Sequence, residues 1–152
     1  MENSVDAPDR VAALAQLGEH YAALARAQRR LRGRDAMQPG RLTAPQVNLL
    51  RPLAVNGPMA SGQLAEAAGL TPATATHMLD QLAVVGIVER VRRTDDRRVV
   101  DTELTQQGKR ALNERIAEME QAWSDALEGF EAAELESATG VLEAICRFVD
   151  GL

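Results

Sequence analysis

Val11, Leu14, Leu17, Tyr21, Leu24, Gln28 and Leu31 recur three or four residues apart, the spacing that gathers side chains on one face of an α-helix. This helix is expected to end by Gly33, and Pro39-Gly40 marks the connector that follows. Thr43-Ala44-Pro45-Gln46 has the spacing of a capping box, in which the hydroxyl and the Gln amide satisfy exposed backbone amides at a helix start. Val47, Leu49, Leu50, Leu53 and Val55 carry that helix to a stop at Gly57-Pro58. Ser61 is then expected to cap a short helix through Gln63, Leu64, Ala65 and Ala68, closed by Gly69. Thr71-Pro72 pairs a capping hydroxyl with a proline at the first helical position, opening a helix over residues 72–85 with Ala75, Met78, Leu79 and Leu82 inward. Only Gly69 and Leu70 separate the two, which predicts either a helix-turn-helix or an ordinary corner between helices.

The next segment favours the first of these. Gly86 terminates the helix, residues 87–92 read as extended, 93–98 as a polar turn and 99–104 as the returning strand. A hairpin directly after such a helix is the order of a winged helix. Thr105 then caps a long helix with Ala111, Leu112, Arg115, Ile116, Met119, Trp123 and Leu127 on its inward side. After a break near Gly129-Phe130, Leu135, Ala138, Leu142, Ile145 and Val149 mark a last helix. The expected fold is mainly α with a small β-hairpin wing: a disordered leader over 1–8, an N-terminal dimerisation helix over 9–35, a winged helix-turn-helix over 42–104 and C-terminal dimerisation helices over 105–150. A winged helix closes its own small core without the terminal helices. Their apolar faces therefore imply packing against a second copy, a homodimer.

Composition narrows the function classes. The 152 residues carry 17 basic and 22 acidic side chains, for a net charge of -5. The excess acid is concentrated at the end: residues 1–41 sum to +2, 42–85 to -1, 86–100 to +2 and 101–152 to -8. Arg90, Arg92, Arg93, Arg97 and Arg98 thus form a local basic cluster despite the acidic total. One cysteine excludes an internal disulfide, and with two distant histidines it leaves no metal cage or cofactor to expect. No apolar run approaches membrane-spanning length, and a cytoplasmic setting is expected.

With these elements placed, the chain resembles the MarR family of bacterial transcriptional regulators. The resemblance rests on Leu42-Thr43-x-x-Gln46-x-x-x-Leu50, Gly57-Pro58-Met59, Leu64-Ala65-Glu66-Ala67-Ala68-Gly69-Leu70, Thr74-x-Thr76, Leu79-x-x-Leu82 and Gly86-Ile87-Val88-Glu89-Arg90. Its most specific part is Asp96-Arg97-Arg98 followed by Leu104-Thr105-x-x-Gly108. Such a resemblance implies a dimer whose terminal helices interlock and whose two winged helices bind a pseudo-palindromic operator in double-stranded DNA. It also implies a repressor of neighbouring genes, often released by a small aromatic or anionic effector. In the family the wing-tip arginine of Asp-x-Arg reaches the minor groove with the aspartate orienting it, roles that fall on Arg98 and Asp96.

Candidate DNA contacts follow from the chemistry of grooves and phosphates. Thr74, Thr76, His77 and Gln81 are the polar side chains placed to meet base edges, and Ser61 and Thr71 either cap helices or touch phosphate as well. His77 stands where the family often has arginine, and is either a base contact or a surface histidine. Residues 72–85 contain no Lys or Arg, so attraction to phosphate falls to the wing, through Arg93, Arg97 and Arg98, with Arg92 and Arg51 weaker candidates. Tyr21, Met119, Trp123 and Cys146 are candidate effector or redox residues, for which core packing, interface packing and an inert thiol are the rival readings. An enzyme is not expected, because no acid, base, nucleophile and metal-ligand grouping emerges. The alternative is a protein-interaction or sequestering module that keeps the fold without binding DNA.

Overall fold

The computed structural model describes residues 7–35, 40–92 and 100–151. Among these it forms six helices and three strands: α1 (Ala7–Asp35), α2 (Ala44–Asn56), β1 (Met59–Ala60), α3 (Ser61–Ala67), α4 (Pro72–Val84), β2 (Val88–Arg92), β3 (Val100–Leu104), α5 (Gln106–Ala126) and α6 (Ala132–Asp150). The chain divides into two compact units, Met1–Arg115 and Ile116–Leu152.

Within the first unit, α2, α3, α4 and a small antiparallel sheet make a winged helix. Its core is Leu42, Val47, Leu49, Leu50, Leu53, Leu64, Ala65, Ala75, Leu79, Leu82, Ile87, Val88, Leu104 and Leu112, all buried. The spacing of these residues is what turns one face of each helix inward. Burying a Leu or Val of this kind contributes about 1.5–3 kcal/mol apiece, and their concentration over 42–112 explains why the core lies there.

Local signals fix the element boundaries. Thr43 closes the expected capping box: its hydroxyl accepts from the Gln46 amide at 3.3 Å, and its own N–H donates to Gln46 Oε1 at 2.8 Å. Two helices end in the same way. Leu70 donates to the Ala65 carbonyl and Gly69 to that of Glu66, while Ile87 donates to Leu82 and Gly86 to Ala83. In each case the glycine holds a left-handed φ, +62° at Gly69 and +74° at Gly86, which lets the chain turn back over the last carbonyls of the helix.

The structure differs from the sequence reading at several points. The helix α1 runs on to Asp35, past Gly33; a glycine disfavours a helix interior by only about 1 kcal/mol, too little to end a long one. Ser61 is not the cap of α3 but its first residue. The capping position is Ala60, whose N–H donates to Gln63 Oε1 at 3.2 Å. The reason is β1, which the sequence reading missed: Met59 and Ala60 pair with Thr102 and Asp101 of β3, so Ala60 is held extended as the cap and the helix begins one residue earlier than expected. The sheet therefore has the order β1-β3-β2.

Thr105 does more than start α5. Its hydroxyl accepts from the Gly108 amide at 2.9 Å and donates to the Gly86 carbonyl at 2.6 Å, while its own N–H donates to Ile87 O at 3.1 Å. The first turn of α5 is thereby fastened to the end of α4. Further along, Arg115 is buried and donates through Nε to the Leu42 carbonyl at 3.0 Å.

Apolar faces remain uncovered in both units. In the first, α1 exposes Val11, Leu14, Leu17, Tyr21, Leu24 and Leu31. In the second, α6 has no buried residue, and Leu135, Leu142, Phe148 and Val149 are exposed. Trp123, expected on the inward side of α5, is 63% exposed among the described residues.

Candidate nucleic-acid interface

The helix pair α3–α4 presents one side to the core and the other to solvent. On α4, Ala75, Leu79 and Leu82 are buried, whereas Ala73, Thr74, Thr76, His77, Asp80, Gln81 and Val84 are exposed. All four residues expected to read bases from this helix, Thr74, Thr76, His77 and Gln81, are thus on its solvent side. Thr71 is the N-cap, as its position before Pro72 implies, and accepts from the Thr74 amide at 3.2 Å. The Thr71 and Thr74 hydroxyls are also bonded to each other at 2.8 Å, so part of their capacity is spent inside the helix start.

Beside this surface runs the β2–β3 hairpin, paired from Val88 with Leu104 to Arg92 with Val100. Arg92, at its far end, is exposed. Arg93, Asp96, Arg97 and Arg98, the expected wing-tip residues, lie outside the described residues.

One charged contact was not anticipated. Arg90 of β2 places Nη2 2.7 Å from Asp80 Oδ1 of α4, and Nη1 donates to Ser61 Oγ at 3.4 Å. The only acid on α4 is therefore ion-paired by the hairpin, and Ser61 accepts a hydrogen bond here instead of capping. Sequence reading had grouped Arg90 with the basic cluster; the one available signal was an isolated acid in a helix otherwise free of charge.

Elsewhere, Arg51 is exposed on α2. His20 sits on α1 with Nδ1 2.8 Å from the Gln16 carbonyl, the geometry of an Nδ1–H donating within the helix. Tyr21, Trp123 and Cys146 are exposed and Met119 is half-buried, and none of the four lines the cavities found among the described residues. One such cavity, of about 310 Å³, opens between the end of α2, the end of β3 and the start of α5. Leu53, Pro58, Leu104 and Leu112 give it apolar walls, and Glu103, Lys109 and Asn113 give it polar ones. Its residues escaped the sequence reading because they come from three separated segments. Among the described residues, no group of three or more His, Cys, Asp or Glu is placed to hold a metal ion, and no helix is long and apolar enough to cross a membrane.

Comparison with known proteins agrees with this geometry. The sequence model of the MarR family matches residues 42–100, the winged helix itself. The uncharacterized HTH-type transcriptional regulator YsmB of Bacillus subtilis strain 168 is 32% identical over 104 residues, covering 68% of this chain and 71% of YsmB. The HTH-type transcriptional repressor MdtR of the same organism is 30% identical over 83 residues, 55% of this chain and 54% of MdtR. Among solved structures, Streptococcus pneumoniae FabT, crystallised in complex with DNA, superposes with a TM-score of 0.73 at 18% identity, over 91% of this chain and 98% of FabT. At that identity the likeness concerns the fold.

Proposed function

The chain belongs to the MarR family of transcriptional regulators, and from that premise we propose that it is a dimeric, sequence-specific DNA-binding repressor whose occupancy is controlled by a small ligand. The observation that carries the reading is the solvent face of α4, where Thr76, His77 and Gln81 are exposed on a helix pinned by Thr71, Gly69 and Gly86 beside a hairpin. A rigid helix with exposed polar side chains suits the major groove. Thr74 contributes at the helix start, where Thr71 is the cap, and Ser61 at the start of α3 approaches phosphate from beside Arg90. On the wing, Arg98 takes the minor groove with Asp96 orienting it, and Arg93 and Arg97 meet phosphates. The DNA-bound FabT structure and the repressor MdtR support this assignment by analogy of fold and sequence.

Dimerisation is supported by the uncovered apolar positions of α1 and α6. Rows of exposed apolar residues at helical spacing suit an interface, and segments 9–35 and 105–150 would supply it. Two-fold symmetry then matches a pseudo-palindromic operator with half-sites about one helical turn apart or a multiple of it. A small aromatic effector, with any anionic group directed at Lys109 and away from Glu103, suits the cavity between α2, β3 and α5, which combines apolar walls with one cation and one carboxylate. The activity is binding, with no chemical step assigned, and its setting is the cytoplasm.

The test is titration of a labelled fragment of the DNA upstream of its own coding sequence, beside an unrelated fragment of equal length, at several salt concentrations. Preferential binding that weakens steeply with salt is expected. Equal or absent binding to both fragments would remove self-operator recognition and favour a protein-interaction role.

A further inference from the structure

We propose that Asp80 is a base-reading residue of α4, selecting a cytosine through its N4 amino group, and that Arg90 is the positioning residue that lets a carboxylate enter the major groove. The proposal rests on the DNA-binding reading above. Ala75, Leu79 and Leu82 define the buried side of α4. At 3.6 residues per turn, the strip diametrically opposite is Ala73, His77, Asp80 and Val84, all exposed. Asp80 therefore stands beside His77 on the solvent side of the helix.

A carboxylate at that position needs an account. The segment Pro72–Val84 holds no cation, so Asp80 approaching a duplex would meet phosphate repulsion uncompensated by its own helix. The compensation comes from another element. Arg90 reaches from β2 to within 2.7 Å of Asp80 Oδ1, and its second terminal nitrogen donates to Ser61 Oγ at the start of α3. The guanidinium is thus held between α3 and α4, and it restrains the carboxylate it neutralises. Exposed pairs of this kind contribute little to folding. Their partners here are 38% and 63% exposed, which leaves the pair available to a ligand on that face.

The chemistry then selects the base. An ionised carboxylate only accepts hydrogen bonds, and with Oδ1 engaged by Arg90 its other oxygen retains acceptor capacity. In the major groove guanine presents acceptors and thymine an acceptor and a methyl group. Adenine presents an amino group next to the N7 acceptor, which repels a carboxylate. Cytosine presents its N4 amino donor, the usual partner of Asp or Glu.

The experiment uses the full chain as wild type, Asp80→Asn, Asp80→Ala, Arg90→Ala and Arg90→Ala/Asp80→Asn. Duplexes are first selected from a random-sequence library. Affinities for the selected duplex, and for versions changed at one symmetric pair of positions, are then measured by fluorescence anisotropy at several salt concentrations. Thermal unfolding of each variant verifies folding. Wild type is expected to prefer cytosine at one position of each half-site by about tenfold. Both Asp80 variants are expected to lose that preference while keeping the rest of the site. Arg90→Ala is expected to bind all duplexes more weakly, with much of the loss recovered in the double variant. If the Asp80 variants select the same sequences with the same discrimination, the base-reading role is overturned. If Asp80→Asn fails to rescue Arg90→Ala and the salt slope of Arg90→Ala falls by about one, Arg90 is a phosphate contact, and its positioning role is overturned. A wild type that enriches no sequence would overturn the DNA-binding reading itself, and this proposal with it.

Discussion

Replacing Gly108 with alanine should destabilise the protein severely, although alanine is the better helix former. Gly108 lies in the first turn of α5 and is buried. A Cβ built on it would stand 1.9 Å from the Ile87 carbonyl oxygen and 2.9 Å from its carbon. Both are backbone atoms, so no side-chain rotation relieves the overlap. Real Cβ atoms essentially never come within 3.0 Å of a neighbour, so the first turn of α5 must retreat by at least 1.1 Å from the 1.9 Å starting separation. That retreat stretches the Thr105 N–H bond to the same carbonyl, 3.1 Å long, and pulls the Thr105 hydroxyl from the Gly86 carbonyl, 2.6 Å away. Overpacking costs about 1–3 kcal/mol, and each hydrogen bond lost adds about 1 kcal/mol. Removing a helical glycine returns about 1 kcal/mol. The net expectation is a loss of about 2–4 kcal/mol. Urea unfolding followed by circular dichroism at one fixed protein concentration measures it, with Gly62→Ala as the control. Gly62 is exposed in α3 with nothing within 4 Å of its Cβ position, so its variant should be unchanged or slightly more stable. A Gly108→Ala protein with wild-type stability would refute the claim that α5 is clamped rigidly against Ile87.

Three further outcomes are expected. Thr102 is fully buried in β3 and its Oγ1 has no hydrogen-bond partner among the described residues; the near-isosteric Thr102→Val should raise stability by about 1–2 kcal/mol, and a lower urea midpoint would show that the hydroxyl is satisfied after all. Thr71→Ala removes the N-cap of α4 and should lower stability by about 1 kcal/mol, whereas Thr71→Ser should retain most of it. Arg98→Ala, removing the guanidinium proposed for the minor groove, should weaken binding to the selected duplex and reduce the slope of log affinity against log salt by about one. An unchanged slope and affinity would remove Arg98 from the interface.

Much of the candidate interface could be read directly from consecutive residues. Thr43 with Gln46, Thr71 with Pro72, and Gly69 and Gly86 each announce a helix boundary, because capping and left-handed turns are satisfied by groups within about five residues of one another. The apolar spacing of Ala75, Leu79 and Leu82 likewise puts Thr76, His77 and Gln81 outward. Ser61 shows where such reasoning fails. Its spacing to the following helix is that of a cap, yet the pairing of Ala60 with Asp101 moves the helix start by one residue. A two-residue strand has no periodicity to detect, and its partner is 41 positions away in sequence.

The amino-acid order by itself determined the order of helices, the caps at Thr43 and Thr71, the two hairpin strands and the faces that α2 and α4 bury, since those depend on short-range hydrogen bonding and on the period of apolar residues. Tertiary structure alone decided what meets across the fold. Arg90 of β2 neutralises Asp80 of α4, Thr105 and Gly108 lock α5 onto the end of α4, and three separated segments enclose the cavity beside Lys109. Those contacts depend on where the chain returns after each turn, a geometry that the packing of the whole core fixes and no local pattern encodes.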